Sequence, residues 1–139
     1  MPRIQVGDIS LNYIEHGSGD NVVLAVHGNL GCANWLDLAM PLLPANIRVI
    51  AAEWRGCGDS DKPESPPDYS NYTMEIHARD HLALLDALGI ENCNLYGHST
   101  GGIIISHMLT VVTEYIGKTV KPDPGGQRAL CIQSSQLGL

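Results

Sequence analysis

The chain has 139 residues, 44% of them apolar, and a formal net charge of -7. This suits one globular domain or part of one, and it argues against nucleic acid or an anionic membrane as a partner, since both are negatively charged. No apolar run is long enough for a signal peptide or a membrane span, so we expect a cytoplasmic protein. The cysteines lie far apart, without the spacing of a metal site or a redox pair, so neither a metal nor a cofactor is expected.

The first predicted elements are an antiparallel hairpin and a buried strand. Residues 4–9 and 10–16 are predicted to be two short strands joined at Gly7-Asp8, a dipeptide typical of hairpin turns. Residues 22–26 form a continuous apolar run rich in β-branched side chains, which indicates a strand buried on both faces.

A helix, a second buried strand and a long loop are predicted next. Residues 34–43 have apolar side chains at helical spacing, and Pro44 ends the helix. The apolar face of this helix consists of Trp35, Leu38 and Leu42. Residues 48–52 predict another buried strand, and residues 53–72, rich in Pro, Gly, Asp and Ser, predict a long loop.

The second half of the chain predicts two more helices around a strand. One helix begins after Thr73, a suitable N-cap, and ends at Gly89. A strand, a sharp turn and a helix follow around residues 97–102, and residues 118–121 are predicted to begin one more strand. Because buried strands alternate with helices, we expect an α/β fold with a mostly parallel sheet led by an antiparallel hairpin.

The most informative motif is Gly97-His98-Ser99-Thr100-Gly101. It lies between two apolar runs, so it predicts a strand, a tight turn with the serine at its apex, and a helix. This is the nucleophile elbow of G-x-S-x-G hydrolases. Glycine is expected at both ends of the motif because side chains there would force the helix away from the strand. The alternative interpretation is a glycine-rich β–α turn that binds phosphate.

A serine nucleophile needs two N–H donors for the oxyanion that forms during acyl transfer. The first candidate is the N–H of Thr100, at the start of the helix after the turn. The second comes from the loop after residues 22–26, where Gly28 lets the backbone turn inward. There the N–H of Asn29 is the leading candidate and that of Leu30 is the second.

A third motif, Glu-Trp-Arg-Gly-Cys-Gly-Asp-Ser at residues 53–60, follows the second buried strand. We interpret this segment as structural. Arg55 is expected to hold the loop through carboxylates or carbonyls, and the glycines permit its tight turns.

These motifs, at residues 27–29, 53–60 and 97–101, occur in an order that resembles the α/β-hydrolase fold superfamily. They resemble most closely its esterase, epoxide hydrolase, dehalogenase and C–C hydrolase branch. The resemblance covers about residues 4–121, the N-terminal half of a typical member, and it implies the family's sheet. Glu53 stands where the family usually has aspartate.

The residue at the apex of the elbow separates the branches of this family. The dehalogenase and epoxide hydrolase branches have aspartate there, so Ser99 argues against both. The resemblance therefore implies hydrolysis of an ester, lactone, thioester, amide or C–C bond.

The same resemblance implies an acid and a histidine after the nucleophile, and this chain offers no histidine suitably placed. His98 neighbours Ser99 and is predicted to point away from it. His107 lies roughly 12 Å below the serine on the following helix, out of hydrogen-bond reach. Asp123, at the end of the last predicted strand, is the candidate acid.

The other histidines have structural interpretations. His27 is interpreted as a core histidine that shapes its loop. His77 and His81 have the spacing of metal ligands on one helix, but a third ligand is not evident, so we expect a solvated helix face. The residues predicted to line the substrate pocket are Trp35, Leu30 and His98. The alternative for Trp35 is a core anchor of its helix.

The expected organisation is an N-terminal half of an α/β-hydrolase core over residues 1–121, with the sheet truncated after about the sixth strand. Residues 122–139 are expected to be the start of a cap segment or an aberrant tail. The expected function is a serine hydrolase acting on a small-molecule carbonyl substrate, nearly inactive as this chain alone. The alternative is a non-catalytic remnant that binds a partner or ligand. An open sheet edge also predicts self-association.

Overall fold

A computed structural model of the chain describes residues 2–115 and 131–132. Its strands and α-helices are β1 (Arg3–Val6), β2 (Ile9–His16), β3 (Asn21–Val26), β4 (Ile47–Ala52), α1 (Met74–Ala87), β5 (Asn94–Gly97), α2 (Thr100–Tyr115) and β6 (Cys131–Ile132). The strand predicted at 118–121, the candidate acid Asp123 and most of the predicted tail lie outside the described residues. Within the described ranges, no helix has the length and hydropathy needed to cross a bilayer.

The strands form a single mixed sheet in the order β1-β2-β4-β3-β5-β6. β2 pairs antiparallel with β1 on one side and with β4 on the other. The remaining pairs, β4 with β3, β3 with β5 and β5 with β6, are parallel. The predicted α/β fold with an antiparallel leading pair is therefore confirmed. Val26 and Gly97, the last residues of β3 and β5, are register partners. The loop after β3 and the turn after β5 consequently leave the sheet side by side.

The sheet is buried on two faces, as the continuous apolar run of β3 predicts. Leu24 and Val26 belong to the larger core cluster, whereas Val23 and Ala25 belong to the smaller one. The helices α1 and α2 contribute Ala78, Leu84, Leu85, Ile104, Ile105 and Met108 to the larger cluster. The smaller cluster packs under the loop between β3 and β4.

The prediction of an α-helix at residues 34–43 is wrong. The structure has two short 3-10 helices instead, Ala33–Leu36 and Met40–Leu42. Pro41 explains the difference, because it has no N–H to donate to the carbonyl of Asp37 and its ring would collide with that carbonyl in an α-helix.

The predicted apolar face of that segment lies at the surface. Leu38 is 88% exposed and Leu42 is 84% exposed. Trp35 is half-exposed and belongs to neither core cluster, so the interpretation of Trp35 as a core anchor is not supported.

The termini of α1 follow the predicted capping residues. The Thr73 hydroxyl accepts a hydrogen bond from the Ile76 N–H at 3.3 Å, as expected of an N-cap. Gly89 has a φ of +67°, the left-handed conformation that commonly follows a helix C-terminus.

Candidate active site

The turn between β5 and α2 holds Ser99 in a left-handed backbone conformation, with a φ of 54°. Such a conformation costs a residue with a side chain on the order of 1 kcal/mol or more. A Cβ on Gly97 would lie 2.7 Å from the backbone of Gly101 and Gly102. A Cβ on Gly101 would lie 2.2 Å from the carbonyl oxygen of Val26. Helix α2 therefore sits directly against the sheet, and only glycine fits at these two positions.

The N-terminus of α2 presents an N–H beside the serine. The Gly101 N–H donates to the His98 carbonyl at 2.9 Å, and the Gly102 N–H donates to the Ser99 carbonyl at 2.8 Å. The Thr100 N–H has no acceptor among the described residues. It lies at the positive end of the helix, where an anion is stabilised.

The loop after β3 packs against the elbow at Gly28. A Cβ on Gly28 would lie 2.8 Å from His98 Nδ1 and 3.0 Å from Ser99 Cβ. The next residue, Asn29, has an N–H without an acceptor in the part of the chain that the structure describes. The Leu30 N–H donates to Asn29 Oδ1 at 3.1 Å, so the second predicted oxyanion donor is already engaged.

A cavity of about 170 Å³ lies beside the turn. It is lined by Val26, His27, Trp35, Leu36, Tyr96 and His98. The Trp35 and His98 rings meet edge to face, with centroids 5.7 Å apart. The structure thus brings two of the predicted pocket residues together. It does not place Leu30 with them, because the Leu30 side chain is 93% exposed and lines no part of this cavity.

No base reaches Ser99 within residues 2–115. The His98 ring faces the cavity, and His107 is exposed on α2. No hydrogen bond joins the Ser99 hydroxyl to an imidazole or carboxylate of the described residues, and Asp123 lies outside them. The described residues therefore place no imidazole or carboxylate where it could accept the Ser99 hydroxyl proton.

The prediction that His77 and His81 lie on a solvated face is wrong. They are 3% and 0% exposed. His81 Nδ1 lies 2.7 Å from the His77 carbonyl, to which its N–H donates. The His77 and Trp54 rings meet edge to face, with centroids 5.0 Å apart. No cluster of three or more metal-ligating side chains occurs in the described ranges, so these histidines form part of the packing between α1 and the loop after β4.

His27 is buried, as predicted for a core histidine. Its Nδ1 lies 2.9 Å from Trp54 Nε1 and 2.8 Å from the Gly28 carbonyl. One tautomer accepts the Trp54 N–H, and the other donates to Gly28. The first connects the start of the loop to the segment that follows β4, whereas the second stays within the loop. Burial lowers the pKa of His27.

Arg55 holds its loop through carboxylates and a carbonyl, which confirms the prediction for this residue. Its Nε and Nη2 donate to the two oxygens of Asp80 on α1 at 2.6 and 2.8 Å, and its Nη1 donates to the Asn71 carbonyl at 3.0 Å. The hydrogen bonds to Asp80, together with its charge, raise the pKa of Arg55 above its usual value. The loop after β4 is thereby tied to α1.

Acid is expected to destabilise the fold through His77. Burial, with His81 and Arg55 nearby, lowers the pKa of His77 from 6.5 to about 4. Below pH 6.5 the unfolded chain binds a proton that the folded chain excludes. The contribution of His77 to the free energy of unfolding should therefore be constant above pH 6.5 and fall by up to about 3 kcal/mol between pH 6.5 and pH 4.

Urea unfolding at a series of pH values measures this dependence. His77→Gln should reduce the slope without abolishing it, because burial also lowers the pKa of His27 and of His81. His16→Gln, which changes an exposed histidine, should preserve the slope. An unchanged slope in His77→Gln would show that His77 does not titrate in this range on unfolding.

Comparisons with known proteins agree with this geometry. The sequence model of the α/β hydrolase fold family matches residues 21–120. The fluoroacetate dehalogenase of a Burkholderia species is 39% identical over 102 residues, which are 71% of this chain and 32% of that protein. The 2-hydroxy-6-oxo-6-phenylhexa-2,4-dienoate hydrolase of Comamonas testosteroni is 30% identical over 124 residues, which are 87% of this chain and 42% of that protein.

Solved structures show the same fold. The epoxide hydrolase of Vigna radiata superposes with a TM-score of 0.72 at 31% identity. The superposition covers 81% of this chain and 36% of that one. The chain thus spans less than half of the length of each of these three proteins.

Proposed function

The chain belongs to the α/β-hydrolase fold family, and on that basis we propose that it carries the nucleophile and the oxyanion-binding groups of a serine hydrolase. The observation that carries this proposal is the contact between two loops. The strained Ser99, with a φ of 54°, lies against Gly28 at the start of the loop after β3. The proposed substrate is a carboxylic ester, a lactone or a related carbonyl compound.

In the proposed reaction, Ser99 Oγ attacks the substrate carbonyl carbon, and the C=O electron pair moves onto the oxygen. The N–H groups of Thr100 and Asn29 donate to that oxyanion. A base outside the described residues takes the hydroxyl proton and returns it to the leaving group. The acyl-serine ester is then cleaved by water, which regenerates the hydroxyl.

Serine chemistry favours a carbonyl substrate over the alkyl halides and epoxides named for some relatives. Attack of Ser99 on an alkyl carbon would form an ether, which has no carbonyl carbon for water to attack, so turnover would stop. Attack on a carbonyl forms an ester, which water can cleave. The Comamonas hydrolase, whose name describes an oxo acid, supports the same substrate class.

The cavity beside the elbow supports a substrate with an apolar group. Trp35, Tyr96 and His98 supply aromatic surface, and the buried His98 Nδ1, close to Gly28, has no hydrogen-bond partner among the described residues. A small apolar group with one polar atom would match this lining. We propose that this cavity holds one of the two groups attached to the carbonyl carbon that Ser99 attacks.

The proposal predicts weak labelling of the isolated chain by a fluorophosphonate. Because no base among the described residues reaches Ser99, we expect its hydroxyl to stay protonated, although oxyanion binding alone retains rate enhancements on the order of 10³-fold in studied enzymes. Mass spectrometry should locate a slow adduct on Ser99, and Ser99→Ala should remove it. Ser106→Ala, at an exposed serine of α2, is the matched control and should label normally.

Two outcomes would contradict the prediction of weak, Ser99-specific labelling. Equal labelling of the chain and of Ser99→Ala would show non-specific reaction. Fast labelling confined to Ser99 would show that the chain contains its own base.

A second candidate function is non-catalytic binding. The exposed Leu38 and Leu42 favour it, because side chains of this kind commonly lie at contacts between proteins. Self-association through these residues or through an open sheet edge is part of this candidate. A chain that associates in light scattering and gives no adduct on Ser99 would favour binding over catalysis.

A further inference from the structure

Glu53, the first residue after β4, is a carboxylate buried to 1% exposure. It accepts hydrogen bonds from three separate segments. Asn12 Nδ2 on β2 and the Asp59 N–H donate to Oε2 at 2.9 and 2.7 Å, and the Ala33 N–H donates to Oε1 at 3.1 Å. No lysine or arginine of the described residues forms an ion pair with it, so these N–H groups stabilise the buried side chain.

The surroundings of Glu53 are shaped around its carboxyl group. A Cβ on Gly58 would lie 2.1–2.2 Å from the three atoms of that group, and Gly58 has a φ of +50°. The Glu53 carbonyl also accepts a hydrogen bond from the Ser60 hydroxyl at 3.0 Å. The motif that follows β4 therefore folds back around the side chain of its own first residue.

The bond to Ala33 connects Glu53 to the elbow. Ala33 begins the 3-10 helix that closes the loop after β3. Within that loop the Gly31 N–H donates to the Gly28 carbonyl at 3.2 Å, and Gly28 packs on Ser99. The loop is thus fixed at one end by β3 and at the other by Oε1 of Glu53.

We infer that Glu53 is a positioning residue for the oxyanion loop: through Ala33 it sets where the backbone of residues 28–33 lies against Ser99. The oxyanion role of the loop rests on the proposed function, whereas the tether itself does not. A shorter carboxylate at position 53, such as aspartate, would lack one methylene of reach toward Asn12, Ala33 and Asp59.

Glu53→Gln tests the tether because it replaces one acceptor oxygen with an NH₂ donor. The remaining oxygen should keep the two bonds made by Asn12 and Asp59, which leaves the NH₂ facing the Ala33 N–H. Hydrogen exchange followed by mass spectrometry should then show exchange about 10-fold faster or more in the peptide containing Ala33. The peptide containing Asp59 should change far less.

Ser60→Ala is the matched control. It removes the hydroxyl that bonds the Glu53 carbonyl and the Asn12 N–H without touching the carboxylate. Urea unfolding corrects for any change in global stability. After that correction, Ser60→Ala should leave unchanged the ratio of exchange rates between the peptide containing Ala33 and the peptide containing Asp59. Equal acceleration of both peptides in Glu53→Gln, or an unprotected Ala33 peptide in the unmodified chain, would overturn the inference.

Labelling of Ser99 separates this inference from the proposed function. In Glu53→Gln the maximal rate of phosphonylation of Ser99 should fall about 10-fold. The reagent concentration that gives half of the maximal rate should not change, because the loop contacts the oxyanion that develops only after the reagent has bound. No adduct on Ser99 in the unmodified chain would contradict the proposed function, and the exchange ratio would still decide the tether. An unchanged maximal rate in Glu53→Gln would show that the loop keeps its position without Glu53.

Discussion

Gly101→Ala is expected to destabilise the chain strongly, although it adds a single methyl group. The new Cβ would lie 2.2 Å from the Val26 carbonyl oxygen and 2.7 Å from that of His27. Both are backbone atoms of the neighbouring segment and cannot rotate away, so α2 would have to separate from β3. We expect a loss of about 3 kcal/mol or more in urea unfolding followed by far-UV circular dichroism.

Gly7→Ala is the control that separates crowding from backbone conformation. Gly7 has a φ of +58°, but no atom lies within 4 Å of a Cβ placed there. Alanine should therefore cost only about 1 kcal/mol, the penalty of the left-handed region. If Gly101→Ala were no more destabilising than Gly7→Ala, the close packing of the elbow on β3 would be disproved.

The elbow and the buried strands could be predicted because their signals are local. Glycines at 97 and 101 around Ser99 restrict the backbone over a few residues, and the continuous apolar runs of β3 and β4 indicate burial on both faces. The loop after β3 was predicted to meet the elbow because a serine nucleophile needs a second oxyanion donor, and Gly28 does contact Ser99.

The wrong predictions concern segments whose structure depends on residues distant in the sequence, or on a residue that the prediction did not consider. Pro41 interrupts the helix predicted at residues 34–43. It is a local signal against an α-helix, but the prediction relied on the spacing of the apolar residues instead. The burial of His77 and His81 depends on the loop after β4, including Trp54, which no helical pattern on α1 reveals. A polar residue at helical spacing shows only that a face contains polar atoms, not what covers it.

The role of Glu53 was likewise missed, because its three donors come from segments far apart in the sequence. Asn12 precedes it by 41 residues and Ala33 by 20. The available signal was an acidic residue placed directly after a buried strand and before a glycine-rich loop. That signal indicates a carboxylate near the end of the sheet, but not which N–H groups it accepts from.

Replacing Asp80 with leucine is expected to destabilise the chain by about 3–5 kcal/mol, since it leaves the Arg55 guanidinium buried without its main partner. The Arg55 and Asp80 side chains are 5% and 9% exposed, and two hydrogen bonds join them. The Asn71 carbonyl would still accept from Arg55, but a carbonyl cannot neutralise the charge. Urea unfolding at neutral pH measures the loss.

The double variant Arg55→Met/Asp80→Leu should recover much of that loss, because it removes both charges and leaves apolar side chains of similar volume. Asp8→Leu is the control for a peripheral partner. Asp8 lies 3.5 Å from Arg55 and its side chain is 76% exposed, so its removal should cost no more than about 1 kcal/mol. A double variant that is less stable than Asp80→Leu alone would show that Arg55 stabilises the loop mainly through Asn71. In that case the attachment of the loop to α1 would depend on the backbone of residue 71 rather than on a charge pair.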